Sequence, residues 1–165
     1  MKWLFTFIIF SFLRPGFGQS VPDTSHFAIL PYQLSAQTTL PRHCRPATLN
    51  AADYVRLENI LSSCIDQYNE TQLKEYKKIS KKHPEKGFKE KDFVISLSRY
   101  YRQYVVVFNA KGEKEVWVNC FCENWSVDYW RKELVMVKDG GNCFFNLRIN
   151  LTRGIFSDFG VNGEA

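Results

Sequence analysis

Beyond Leu13 the sequence has no long apolar run. Spanning a bilayer takes about 20 residues, so no downstream segment is expected to cross a membrane. A general excess of one charge is also missing. The formal net charge is +5, but residues 71–92 alone hold eight lysines against four acids, a net +4. The first 18 residues add +2, which leaves the rest of the chain at −1. This distribution excludes a general attraction to nucleic acid and points to one local basic segment. Too few aromatics interleave with those lysines for a nucleic-acid platform. The segment reads either as a solvated connection or as a patch for an acidic surface or lipid headgroups.

What is present begins with Met1-Lys-Trp-Leu-Phe-Thr-Phe-Ile-Ile-Phe-Ser-Phe-Leu13, a short positive end and then an apolar run. Gly16 and Gly18 occupy the −3 and −1 positions for cleavage before Gln19. Residues 1–18 therefore read as a signal peptide. The mature chain is expected in a secreted or periplasmic setting. Residues 19–50 carry Pro22, Pro31, Pro41 and Pro46, four of the six prolines, and read as an extended arm. Within it, Phe27-Ala-Ile-Leu30 is suited to pack or pair at a sheet edge. Residues 51–165 have the length of one domain.

Asn50 is placed to cap a helix, with Asp53 in its first turn. Leu57, Ile60, Leu61, Cys64, Ile65 and Tyr68 follow at helical spacing and make one apolar stripe. Residues 70–82 suggest a second helix with Leu73, Tyr76 and Ile79 on one side, ended by His83-Pro84. From residue 100 the pattern changes to strands. Tyr104-Val-Val-Val-Phe108 and Glu115-Val-Trp-Val-Asn-Cys-Phe-Cys122 flank a Gly-containing turn and predict a hairpin. A second hairpin is predicted from residues 133–137, a turn at 138–142 and a strand at 143–151. Residues 155–161 suit a final strand. The expected fold class is α+β: one long N-terminal helix packed on a four- to five-stranded antiparallel β-meander.

Side chains alternate across a strand. Val116, Val118, Cys120 and Cys122 share one face with nothing polar, as do Cys143, Phe145, Leu147, Ile149 and Leu151. These are core. The opposite face mixes aromatics with polar groups, and a partner is expected there, on Trp117, Phe121, Phe144 and Arg148. Trp125 and Trp130, in the loop that follows, extend the candidate binding surface. The competing reading has these aromatics merely covering the second face.

Five cysteines, Cys44, Cys64, Cys120, Cys122 and Cys143, are candidates for disulfides or for buried thiols. The odd number leaves at least one unbridged within the chain. Cys120 and Cys122, two apart on a strand, are too distant to bridge each other, so any bridge goes elsewhere, for example to Cys64 or Cys143. A structural zinc site usually spaces paired cysteines by two to four residues on a knuckle, so no metal is expected, and no cofactor. Gly140-Gly-Asn-Cys143 superficially resembles the residues before the nucleophile of papain-like proteases. Those enzymes need a histidine downstream, whereas His26, His43 and His83 all lie upstream, and Asp139-Gly-Gly-Asn142 is turn chemistry. Sequons stand at Asn69, Asn124 and Asn150.

Tyr101-Arg-Gln-Tyr-Val, Val116-Trp-Val-Asn-Cys-Phe-Cys122, Asp139-Gly-Gly-Asn-Cys-Phe-Phe145 and Val161-Asn-Gly-Glu-Ala165 together resemble a group of small exported bacterial proteins of unknown function. The resemblance implies export and no activity. The helix-then-meander order is similar to cystatin-like α+β folds. The cystatin inhibitory loop has the form Gln-x-Val-x-Gly, and Gln103-Tyr-Val-Val-Val107 lacks its glycine, so protease inhibition is not implied. The expected function is a non-catalytic binding module for a protein, peptide or glycan. The alternative is a cysteine-dependent enzyme or redox protein using Cys120, Cys122 or Cys143.

Overall fold

The computed structural model describes residues 24–33, 40–41, 43–123 and 126–163. The signal-peptide reading of 1–18, Trp125 and the Asn124 sequon lie outside the described residues.

Helix α1 spans Ala51–Lys82. Asn50 Oδ1 accepts from the Asp53 amide at 2.9 Å and Asp53 Oδ2 accepts from the Asn50 amide at 3.0 Å. This reciprocal box satisfies two of the amides that every helix start leaves unpaired. The second helix anticipated over 70–82 is the C-terminal half of the same element, because no glycine or proline interrupts residues 51–82. It stops at His83, immediately before Pro84.

Six strands form one mixed sheet: β1 (Phe27–Ile29), β2 (Arg45–Pro46), β3 (Tyr101–Phe108), β4 (Lys114–Phe121), β5 (Phe144–Asn150) and β6 (Ile155–Val161). The order is β1-β3-β4-β5-β6, with β2 also on β3. Two expectations are corrected here. The sheet is not an antiparallel meander throughout, since β1 runs parallel to β3 with Phe27 opposite Arg102. Nor is the helix N-terminal: β1 and β2 precede it. Parallel neighbours need a long crossover, and α1 supplies it. The arm thus contributes two pieces to the β3 edge, β1 parallel to it and β2 antiparallel, with Arg45 opposite Phe108.

A third correction concerns the second hairpin. Residues 133–137 form no strand; β4 pairs directly with β5, Val118 opposite Leu147. The intervening chain makes the single-turn helix α2 (Val127–Trp130) and then crosses the sheet. The turn chemistry at its far end holds, with φ of 88° at Gly140 and 55° at Gly141. A Cβ at Gly140 would also lie 2.7 Å from the Phe144 ring.

Strand β6 falls where the sequence placed it, with one irregularity. Asp158 and Phe159 together oppose a single residue, Leu147, and Asp158 has φ of 54°. This bulge shifts the alternation by one, so Phe156, Phe159 and Val161 all pack on the helix-side core.

The sheet has two buried faces. One is covered by α1 through Leu57, Leu61, Cys64 and Ile65, against Tyr104, Val106, Val116, Val118, Cys120, Phe145, Leu147 and Ile149. The other carries Val105, Val107, Trp117, Phe121 and Phe144, covered by Leu30, Leu40, Cys44, Trp130, Leu134 and Val135.

Candidate functional site

The second face is held shut by two buried amides. Gln103 and Asn119 face each other across β3 and β4. Gln103 Nε2 donates to the carbonyls of Trp130 (2.6 Å) and Glu133 (2.7 Å). Its Oε1 accepts from the Val135 amide at 3.0 Å and from Asn119 Nδ2 at 3.1 Å. Asn119 Nδ2 also donates to the Val135 carbonyl at 2.7 Å. Irregular chain laid on a sheet brings polar backbone into the core, where it needs partners. These side chains are the partners.

Consequently the expected partner face is not open. Trp117 is 2% exposed, Phe121 0%, Trp130 1% and Phe144 5%. Tyr101 stacks near Phe121 and Trp130 with centroids 5.8 and 5.2 Å away, and Arg131 lies 4.5 Å over the Trp130 ring. Of the six candidate binding residues, Arg148 alone among the described ones lines an open recess.

That recess, of about 430 Å³, lies at the end of the same face and includes Pro41, Lys111, Glu113, Glu115, Arg148, Asn150, Arg153 and Ile155. Two tight turns build it. In the first, Asn109 Oδ1 accepts from the amides of Lys111 (2.9 Å) and Glu113 (3.0 Å). In the second, Asn150 Oδ1 accepts from the Arg153 amide at 2.9 Å. Such side-chain caps are the reason Asn opens turns. With both oxygens committed to backbone, both NH2 groups must point the other way, into the carboxylates. Asn109 donates to Glu113 at 3.0 Å and Glu115 at 2.7 Å; Asn150 donates to the same pair at 2.9 and 3.2 Å. These amide bonds hold the Glu113 carboxyl below the usual glutamate range.

Two polar atoms remain unsatisfied beside it. Glu115 Oε2 and Trp117 Nε1 are buried with no hydrogen-bond partner, and they belong to residues two apart on one face of β4. One is an acceptor and the other a donor. Each such orphan costs about 1–3 kcal/mol, and Glu115, which lines the recess, leaves an acceptor there for a ligand donor. Around the rim, Arg148 bonds Asp158 at 2.9 Å and Ser157 Oγ at 3.3 Å, while Lys111 and Arg153 are exposed.

The cysteines are placed differently. Cys122 and Cys143 form a disulfide, with Cα atoms 5.0 Å apart. It joins the two ends of the segment that crosses the second face. Cys44, Cys64 and Cys120 are unbridged and buried. Burial pushes the Cys64 thiol up to about 11 and raises Cys120 further. Burial also raises Cys44, helped by the Glu115 charge and opposed by Arg148. Thiolate chemistry needs the opposite: an accessible thiol with a depressed pKa.

Two sequons are structurally occupied. Asn69 exchanges two 2.8 Å hydrogen bonds with the Ile95 backbone, and the Asn150 amide is spent on the glutamates. The recess residues were not singled out by sequence reading. Their signal was present, however: two Asn-initiated turns, Asn109-Ala-Lys-Gly112 and Asn150-Leu-Thr-Arg-Gly154, beside acids at i and i+2 where β4 begins.

No protein-family model matches the chain, and no curated protein or solved structure matches it either.

Proposed function

We propose that the chain is a non-catalytic binding module of an exported compartment, and that the recess at Glu115, Arg148 and Arg153 holds its ligand. The observation that carries this is the buried, unsatisfied Glu115 Oε2 in the lining of an open, charged recess. Its volume is in the range of small-molecule sites, about 300–1,000 Å³. A ligand hydroxyl donates to Glu115, and an anionic group meets the cationic rim. A small hydroxylated acid fits that chemistry. The disulfide supports export. The buried thiols with raised pKa argue against the cysteine-dependent alternative.

A thermal-shift series with hydroxylated carboxylic acids and sugar phosphates tests this. One class should raise the melting temperature, because ligand at 100-fold its Kd stabilises by about 2.7 kcal/mol. Glu115→Gln and Arg153→Glu should each abolish that increment. No stabilising class, or increments that survive both substitutions, would move the function elsewhere.

A further inference from the structure

We propose that residues 71–92 form a docking surface for an anionic lipid bilayer, reached from solution. The geometry points to it first. A 32-residue helix is about 48 Å long, while β3, with 8 residues, reaches only about 27 Å. All four buried helix residues, Leu57, Leu61, Cys64 and Ile65, lie in its first half. The second half starts on the sheet, with Tyr68 meeting Phe159 of β6 at 5.4 Å. Among the described residues, none of the helix beyond Tyr68 packs on the core, so the rest projects past it.

That projection carries the charge. Lys74, Lys77, Lys78, Lys81 and Lys82 are all exposed, and at 3.6 residues per turn they fall within about 140° of one side of the helix. The chain then folds back through exposed Lys86, Lys89 and Lys91. Gly87, with φ of 62°, turns the chain there, and Phe88 next to it is 38% exposed. Phe88 stands edge-on to Phe93 at 6.0 Å, and Phe93 meets Tyr76 of the helix at 5.3 Å. Asn69 fastens the returning chain at Ile95 and Asn142 Nδ2 fastens it at the Asp92 carbonyl, 3.1 Å. The lysines are thus presented on a braced projection.

The occupant follows from charge and shape. The segment has net +4, whereas the chain outside it and outside residues 1–18 has −1, so an anionic surface is drawn to this end alone. A single-stranded polyanion is gripped in a groove with several stacking rings. Here one exposed ring sits amid lysines on a projecting helix and turn, which suits headgroups around a shallowly inserted side chain. Among the described residues no helix is long and apolar enough to cross the membrane.

Flotation with phosphatidylcholine vesicles, with and without phosphatidylglycerol, tests the proposal. Each lysine brought near an anionic surface contributes about fivefold in affinity. The wild-type chain should float with anionic vesicles at low salt, not with neutral ones, and detach at high salt. Lys74→Glu/Lys78→Glu/Lys81→Glu should weaken binding at least tenfold with an unchanged melting temperature, and Phe88→Ala should weaken it several-fold. Absence of flotation at low salt, equal flotation with neutral vesicles, or full binding by the triple variant would overturn it. Soluble heparin captured as tightly as anionic vesicles, with Phe88→Ala unchanged on both, would assign the segment to a soluble polyanion instead and also overturn it.

Discussion

The two faces of the sheet are equally buried but built on different principles. On the helix side, α1 satisfies its own backbone, so the centre of the face beneath it is apolar, with Val116, Val118 and Cys120 on β4 and Phe145, Leu147 and Ile149 on β5. Its charged groups, Arg102 and Lys114, stand near the strand ends and pair with Glu58 and Asp53 of the helix. On the other side the cover is irregular chain, which cannot satisfy itself. The face beneath must then carry polar groups, and Gln103 and Asn119 are those groups. A mixed polar and aromatic strand face need not await a partner. It can be the docking surface for the protein's own loop.

The contrast can be broken at the helix face first. Leu61 is fully buried, and Leu61→Ala should cost about 3 kcal/mol or more, read as a lower urea midpoint with an unchanged slope. The loss should be global, with faster amide exchange on every strand. On the other face, Gln103→Leu leaves the carbonyls of Trp130 and Glu133 and the amide of Val135 without partners. A cost of about 2 kcal/mol is expected, smaller because the loop can admit water. Its signature should be local: faster exchange at Val135 while the amides of Val118 and Leu147 stay protected. If both substitutions loosen the same amides, the distinction between the faces fails.

The smallest expected effect tests how the helix is attached to the sheet. Lys114 Nζ meets Asp53 Oδ2 at 2.6 Å, with the two side chains 19% and 18% exposed. Burial pushes the Asp53 carboxyl up, but the Lys114 hydrogen bond and charge, the Asn50 amide and Arg56 together bring it below its usual value. A depressed carboxyl stabilises the fold above its unfolded pKa of about 3.9, and that stabilisation is lost as pH falls through the folded value. Asp53→Asn should lower stability by about 1 kcal/mol near neutral pH. It should also flatten the fall in melting temperature below about pH 4.

Much of the fold was legible because it rests on local rules. The α1 stripe, the Asn50 cap, the 109–113 turn and strand β6 follow from periodicity and turn chemistry. The parallel pairing of β1 was not legible, since three residues carry no register of their own. Residues 133–137 looked like a strand because Leu134, Val135 and Val137 are apolar. Their burial is real, but side-chain amides rather than a ladder hold them. The recess was missed for a related reason: Glu113, Glu115, Asn109 and Asn150 meet only once the β4–β5 register is known. Arg148 was picked out, and it lines the recess together with Glu115 and Asn150 of the same face.

The measurement that bears most directly on the closed second face is hydroxyl-radical footprinting of the native protein, resolved to single residues by mass spectrometry. Tyr129 at 41% exposure and Phe88 provide the fast reference and Phe145 the slow one. Trp117 and Trp130 should label as slowly as Phe145 despite the high intrinsic reactivity of indole. Labelling at the rate of Tyr129 would mean that the face opens in solution, and the aromatic surface would again be a place for a partner.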